Sequence, residues 1–335
     1  MNNGESLIRV ENLKVSFFTA AGEVQAVRGV SWELKKGETI AIVGESGCGK
    51  SVSIQTVMGL LQKPPGRVMG GEIYFKGDEI SHYTEKEMRK FQGNEMSMIF
   101  QDPLSFLNPT MRVGDQVAEV YMEHHKVSKK EALQKAVEMF KSVSLPDPEQ
   151  CIKRYPYELS GGMRQRVMVA MALIGSPSVL FADEPTTALD VTIQAQIIDL
   201  MNEMKEKTDT SIVLITHDLG VVAQMASRVY VMYAGQIVEH GDIDTIFNSP
   251  KHPYTRALLS AAPRLDAASK MKLANIPGSP PDLLVPPAGC AFAARCKYAM
   301  NICTRLQPEY RDFAEPCHYA ACWLNHEKAK GGRHE

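Results

Sequence analysis

The eight residues Gly44-Glu45-Ser46-Gly47-Cys48-Gly49-Lys50-Ser51 follow an apolar run and fit the spacing G-x-x-x-x-G-K-S/T. Glycines at these intervals let backbone N–H groups surround an anion, and a lysine at a helix start adds a fixed positive charge. The pattern suits nucleotide phosphates, with Lys50 reaching their outer oxygens and Ser51 ligating Mg2+. A second glycine loop, Leu159-Ser160-Gly161-Gly162-Met163, opens another helical stretch and carries no lysine. A single ATP needs one cradle, so the duplicate asks for a second nucleotide or a second subunit. The plain structural readings are a glycine-rich turn with an incidental lysine for the first loop and a serine-capped helix start for the second.

Between residues 179 and 184 the chain runs Val-Leu-Phe-Ala-Asp-Glu, an apolar strand delivering Asp183 and Glu184 to its C-terminal end. Ligands of open α/β sheets bind at that edge. Asp183 is suited to hold Mg2+ and Glu184 to orient or deprotonate an attacking water. Taken alone, the same pair also reads as a solvated acidic turn before Pro185.

Five of the seven cysteines, Cys290, Cys296, Cys303, Cys317 and Cys322, cluster near the C-terminal end. In a reducing compartment such clustering favours a metal site over disulfides. The intervals between Cys290, Cys296, Cys303 and Cys322 match neither the C-x-x-C pairs of zinc ribbons nor the tight runs of bacterial ferredoxins. Spacing alone leaves Zn2+, a 4Fe-4S cluster and buried free thiols open, and Cys317 competes with Cys322 as the fourth ligand.

Elements able to position these groups are legible in the hydrophobic periodicity. Leu13, Val15 and Phe17, then residues 24–30, Trp32 and Leu34, alternate as an antiparallel β layer does, with Gly22 and Gly37 at turns. Residues 39–43 are continuously apolar, as in a strand buried on both faces, and residues 51–61 continue as a helix stopped by Pro64-Pro65. Residues 113–143 form a helical insert in which Ser128 and Glu131 have capping-box spacing. A helix over 162–174 is followed by a strand at 179–182, a helix at 192–207 and a strand at 212–216, which together predict a doubly wound α/β fold. Pro277, Pro280, Pro281, Pro286 and Pro287 mark a linker, and the cysteine-rich module begins at Gly289. The expected domains are a nucleotide-binding α/β domain over 1–260 with a helical part at about 102–175, a linker over 261–288, a cysteine-rich module over 289–326 and a polar disordered tail over 327–335.

The 335 residues carry a formal net charge of −2, with dispersed basic residues, so nucleic acid is disfavoured as a partner. The longest apolar run, 167–174, is far short of the ~20 residues of a spanning helix. The first six residues lack the layout of a secretory signal, which predicts a cytosolic location.

Taken in order, these motifs resemble the nucleotide-binding subunits of ATP-binding-cassette (ABC) transporters, over residues 7 to 260. The resemblance also rests on Gln101 in Met98-Ile99-Phe100-Gln101-Asp102-Pro103, on Thr187-Ala188-Leu189-Asp190, and on His217 in Leu214-Ile215-Thr216-His217-Asp218. It implies an ABC-type P-loop NTPase fold and an ATPase. By the same resemblance, Gln101 touches Mg2+ and the attacking water and faces the membrane subunits, His217 holds the γ-phosphate, and Asp190 shapes a subunit interface. Phe17, or alternatively Phe18, stacks on adenine. Ser160, Gly161 and Gly162 cap the ATP held by a partner subunit's loop, so two chains sandwich two nucleotides.

Residues 102–109, His252-Pro253-Tyr254-Thr255 and the cysteine segment ending His318 to Cys322 are similar to the dipeptide and oligopeptide importer ATPases. That resemblance implies a 4Fe-4S cluster on Cys290, Cys296, Cys303 and Cys322. It also implies a second, non-identical ATPase subunit, two membrane-spanning permease subunits, an extracytoplasmic binding protein, and a peripheral place on the cytoplasmic membrane face. Import of nickel, opines or oligosaccharides, or a soluble non-transport ABC ATPase, are the alternative functions.

Overall fold

The computed structural model describes residues 6–187, 190–261, 276–313 and 317–330. Its strands in chain order are β1 (Ser6–Thr19), β2 (Gly22–Lys35), β3 (Thr39–Val43), β4 (Gly66–Phe75), β5 (Asp78–Glu79) and β6 (Met96–Ile99). They continue as β7 (Val179–Asp183), β8 (Ser211–Thr216), β9 (Arg228–Tyr233), β10 (Gln236–Asp242), β11 (Arg311–Phe313) and β12 (His318–Ala320). The chain forms two compact units, one gathering Leu34–Thr39 and His82–Ile215, the other Leu7–Glu33, Ile40–Ser81 and the described residues from Thr216 onward.

The second unit begins with the expected antiparallel layer, in the order β2-β1-β4-β5. Its side-chain phase is reset within β1. Ile8 and Val10 are buried, and so are Leu13 and Val15, because the register against β4 shifts between Glu11 and Val15, where Asn12 takes φ 49°. One extra residue moves every later side chain to the opposite face, so odd positions point inward after the bulge. Phe17 is accordingly half-buried, whereas Phe18 is exposed with the Arg67 guanidinium 4.8 Å from its ring centroid.

All five residues of β3 are buried, as its continuous apolar run requires. It pairs in parallel with β9, which forms a hairpin with β10 through Ala234 and Gly235, both at positive φ. The cysteine-rich segment extends the same sheet, since β12 pairs with β10 and β11 with β12. Tyr233, Tyr254, Leu283, Ala291 and Phe292 share one core with Ala41, Val43 and Val231, and Cys290 and Cys296 pack against it. Leu283, Ala291 and Phe292 are therefore part of this core.

The helix after the glycine loop spans Lys50–Val57, shorter than the periodicity suggests. Gly59 at φ 69° ends it, with Gly59 N–H donating to Thr56 O and Leu60 N–H to Gln55 O, a Schellman closure well before the proline pair. Of the linker span, 262–275 lie outside the described residues, and so do 331–335 of the tail. Glu327–Lys330 instead form a helical turn.

In the first unit, β6, β7 and β8 are parallel neighbours, with Ile99 opposite Ala182 and Asp183 opposite Ile215. The insert is helical as expected, with helices Val113–His124 and Lys129–Ser142. The second carries the capping box: Glu131 N–H donates to Ser128 Oγ at 3.3 Å and Ser128 N–H to the Glu131 carboxylate at 2.8 Å. Helices Gly161–Leu173 and Val191–Thr208 complete the crossovers. Among the described residues no helix is long and apolar enough to cross a membrane.

Candidate functional site: a phosphate loop, an acidic strand end and a second glycine loop

The glycine loop of residues 44–51 belongs to the second unit. Gly44, Gly47 and Gly49 have φ of 152°, 78° and 101°. A Cβ on Gly44 would lie 2.1 Å from Met232 O and one on Gly49 2.3 Å from Ala26 O, so close backbone approach as well as positive φ demands glycine there. Gly49 is the N-cap of the following helix, so the first helical N–H groups face the loop interior. Lys50 is 5% exposed, and its Nζ donates to Gly44 O at 2.8 Å and Glu45 O at 3.0 Å. The ammonium is thus held over the concave side of the loop. Cys48 is buried, and desolvation raises its thiol pKa despite Lys50, which leaves a neutral side chain lining the loop.

The acidic strand end belongs to the first unit. β7 terminates on Asp183, 5% exposed, and on Glu184, whose φ of 48° turns the chain while its N–H donates to Ile215 O at 2.8 Å. Gln101 follows β6, the parallel neighbour of β7, so the two strand ends lie side by side. Gln101 Nε2 donates to Glu184 Oε2 at 2.9 Å and Thr187 Oγ1 donates to the same oxygen at 2.9 Å. Two groups distant in sequence, Gln101 and Glu184, are thereby brought into contact. His217 belongs to the second unit, exposed just beyond β8, where Asp218 caps the next helix through Gly220 N–H at 2.8 Å.

The lysine-free loop opens helix Gly161–Leu173 in the first unit. Ser160 Oγ accepts from Met163 N–H at 3.4 Å, so the serine caps its own helix, and Ser160 and Gly161 are exposed. A Cβ on Gly161 would meet nothing within 4 Å, whereas one on Gly162 would lie 3.0 Å from Ile193 Cγ2. The following Arg-Gln-Arg fixes the loop to its surroundings. Arg164 Nε donates to Pro156 O, Gln165 Nε2 to Pro185 O at 2.6 Å, and Arg166 to Val143 O and Gln196. The buried Gln165 joins the lysine-free loop directly to the turn after Glu184. Sequence periodicity gives no hint of that tie. Asp190 is exposed and caps helix Val191–Thr208 through Ile193 N–H at 2.9 Å; Ala188 and Leu189 of its motif lie outside the described residues.

All seven cysteines are free thiols. Burial raises the pKa of Cys322 to about 12 and of Cys290 to about 11, and raises that of Cys296. The thiolates reinforce the effect, since Cys322 feels Cys290, Cys296 and Cys303. Cys317 is exposed, at φ 58°, and stands outside this set. Cys290 and Cys303 are joined through the backbone, Cys290 N–H donating to Cys303 O at 2.7 Å. Among the described residues, no group of three or more His, Cys, Asp or Glu side chains is placed to hold a metal ion.

Several residues around the phosphate loop carry no motif signal. Glu45 N–H donates to Tyr254 Oη at 2.9 Å, and the Glu45 carboxylate pairs bidentately with Arg295 at 2.7 and 3.0 Å. Behind them, buried Glu239 accepts from Lys251 N–H, His252 N–H and His318 Nε2 at 2.6 to 2.9 Å. Burial alone would raise its pKa, but these donors together hold it below the usual carboxylate value.

A family profile described as "ABC transporter" matches residues 27–187, and one described as "Oligopeptide/dipeptide transporter, C-terminal region" matches residues 238–303. The chain is 53% identical over 97% of its length, and 97% of the relative's, to the dipeptide transport ATP-binding protein DppD of Bacillus subtilis. It is 54% identical to the oligopeptide transport ATP-binding protein OppD of the same organism, over 96% of this chain and 90% of that one. Among solved structures it resembles the ATP-binding cassette MJ0796 in a dimeric post-hydrolysis state bound to ADP and Pi. There the TM-score is 0.64 at 25% identity, covering 70% of this chain and 98% of that one. With a nucleotide-binding fold of this kind and relatives matched over 90% to 97% of their length, the chain is an ATPase, and it belongs to the ATP-binding proteins of oligopeptide and dipeptide ABC transporters.

Proposed function

We propose that this ATPase energises uptake of di- or oligopeptides, working from the cytoplasmic membrane face with two permease subunits, an extracytoplasmic binding protein and a second, related ATPase subunit. The names of its full-length relatives support the substrate class. In our reading, residues 1–260 form the ATPase domain, with the helical part at about 102–175. Residues 261–288 connect it to a cysteine module over 289–326.

The chemistry assigned to the residues is in-line attack of water on the γ-phosphorus, with ADP leaving. Gly44, Ser46, Gly47, Cys48 and Gly49 offer backbone N–H groups to the phosphates, Glu45 belongs to the same loop with its own N–H given to Tyr254 Oη, Lys50 adds charge, and Ser51, Asp183 and Gln101 are the Mg2+ ligands. Phe17 is the adenine platform, its alternative Phe18 being exposed beneath Arg67. Glu184 orients or deprotonates the water, and His217 contacts the γ-phosphate. Ser160, Gly161 and Gly162 serve ATP bound by the partner, while Asp190 lies at the shared interface.

The observation that carries this reading is the Glu184 carboxylate held at a strand end by Gln101 and Thr187. Glu184→Gln keeps the shape and an acceptor for both donors but cannot take a proton. Loss of a general base costs on the order of 10²- to 10⁴-fold in turnover, so ATPase activity should fall by that factor while ATP still binds. Unchanged turnover would remove Glu184 from the mechanism.

Cys290, Cys296, Cys303 and Cys322 supply the donor chemistry of a sulfur-ligated group, although among the described residues they are not gathered as a set placed to hold a metal ion. We propose that they hold a 4Fe-4S cluster, with Zn2+ the alternative. When bound, such a group would fix four chain segments through thiolate bonds. Iron and acid-labile sulfide analysis of anaerobically purified chain tests this; one equivalent of zinc without iron would overturn the cluster.

A further inference from the structure

Glu45 is an awkward residue for a phosphate loop, because its carboxylate stands beside a site meant for a polyanion. Like charges in proximity repel, and the repulsion grows as the surroundings exclude water. Something must offset that charge, and the second unit contains the group that does. The Arg295 guanidinium donates Nη1 to Glu45 Oε2 at 2.7 Å and Nη2 to Glu45 Oε1 at 3.0 Å. Paired forks of this kind are short, charge-assisted and geometrically exacting.

Arg295 is itself fixed. Its Nε donates to Pro277 O at 2.9 Å, Nη2 to Ile276 O at 3.2 Å and Nη1 to Tyr233 Oη at 3.2 Å, which uses all of its directional capacity. Its side chain is only 6% exposed. The hydrogen bonds to Glu45 hold its pKa far above the usual range, so it stays charged at any working pH. Glu45 is gripped at two further points, by Tyr254 Oη at its N–H and by Lys50 Nζ at its carbonyl. Arg295 closes a short 3-10 turn, Ala293–Arg295, directly before Cys296. The phosphate loop thus takes its charge balance from the cysteine-rich segment.

We propose that Arg295 is a positioning residue of the nucleotide site. By neutralising and orienting Glu45, it keeps the loop attractive to phosphates. The proposal rests on residues 44–51 being the phosphate site. It makes the C-terminal segment a working part of nucleotide binding.

The test uses the full chain and equilibrium binding of trinitrophenyl-ATP and trinitrophenyl-ADP. Arg295→Ala should weaken ATP-analogue binding about tenfold, or roughly 1.4 kcal/mol, and the ADP analogue by less, because fewer phosphate charges face the bare carboxylate. Arg295→Lys, with charge but no fork, should fall between. The deciding variant is Glu45→Gln/Arg295→Ala, which removes the unpaired carboxylate and should recover binding to within about threefold of wild type. A purely structural tie would not be restored this way. The proposal is overturned if Arg295→Ala binds both analogues as wild type does, even with a lowered unfolding midpoint. It is equally overturned if the double variant binds no better than Arg295→Ala. Should Arg295→Ala fail to fold, Arg295→Lys and Arg295→Lys/Glu45→Gln carry the same comparison. Lys50→Ala is the control: if it binds like wild type, the phosphate-site reading fails, and that outcome is distinct from failure of the Arg295 role.

Discussion

His252 offers a quantitative test of how the core around the phosphate loop is held. Its ring is 1% exposed, Nδ1 accepts the Tyr254 N–H at 3.1 Å, and Nε2 is buried with no hydrogen-bond partner among the described residues. Protonation would put a second donor against Tyr254 N–H and a charge into an apolar pocket beside Phe292. Burial accordingly lowers its pKa to about 4; Glu239 pulls it upward and Arg256 downward, but neither outweighs burial. His240, between the rings of Tyr230 and Tyr319, is lowered to about 4 for the same leading reason.

The sign of the effect follows from proton counting. Between the folded value near 4 and the unfolded value near 6.5, the unfolded chain binds protons that the folded chain refuses, so stability falls as pH falls through that window. On going from pH 7.5 to 5, each histidine costs about 2 kcal/mol. His252→Asn tests one of them cleanly, because an Asn carbonyl can accept the same i+2 N–H but does not titrate. Urea unfolding followed by tryptophan fluorescence is the assay, since Trp32 and Trp323 both belong to the same compact unit as His252. The variant should lose about 2 kcal/mol less than wild type on acidification to pH 5. A wild-type-minus-variant difference that is flat with pH would refute the argument.

Glycine substitutions separate backbone demand from ligand demand. Gly49→Ala should abolish nucleotide-analogue binding, because its Cβ would meet Ala26 O at 2.3 Å at a φ of 101°. Gly161→Ala, with open space around it, should leave the unfolding midpoint and nucleotide binding by the isolated chain unchanged while slowing ATP hydrolysis by the assembled transporter. Equal ATPase rates in that assembly would argue against a role for the second glycine loop in the partner's site.

What the sequence discloses and what it conceals divide along physical lines. The G-x-x-x-x-G-K-S/T spacing is legible because a phosphate loop is a local object, whose glycines answer to φ and to close approach. Asp183 and Glu184 are legible because a strand buried on both faces brings two adjacent carboxylates to the sheet edge where ligands bind, and the whole pattern fits in six residues. Apolar periodicity continues through Leu61 and so extends the expected helix after Lys50 too far, while Gly59 closes it locally. The phase change in β1 stays hidden for a similar reason, since a bulge at Asn12 has no hydrophobic signature of its own.

The contacts that tune the site are of another kind. Glu45 and Arg295 are 250 residues apart, and Gln165 meets the backbone carbonyl of Pro185. Such pairs exist only after strands β9 to β12 and the parallel β6–β7 pair have formed, so no window of sequence contains them. That is also why the tie between the cysteine-rich segment and residues 44–51 is not legible in the sequence. In three dimensions Phe292 lies in one core with Tyr233 and Tyr254, and its neighbour Arg295 balances the carboxylate of the phosphate loop. If residues 44–51 hold the phosphates, as we propose, a change among residues 290–322 has a short physical route to nucleotide affinity through the one guanidinium paired with Glu45.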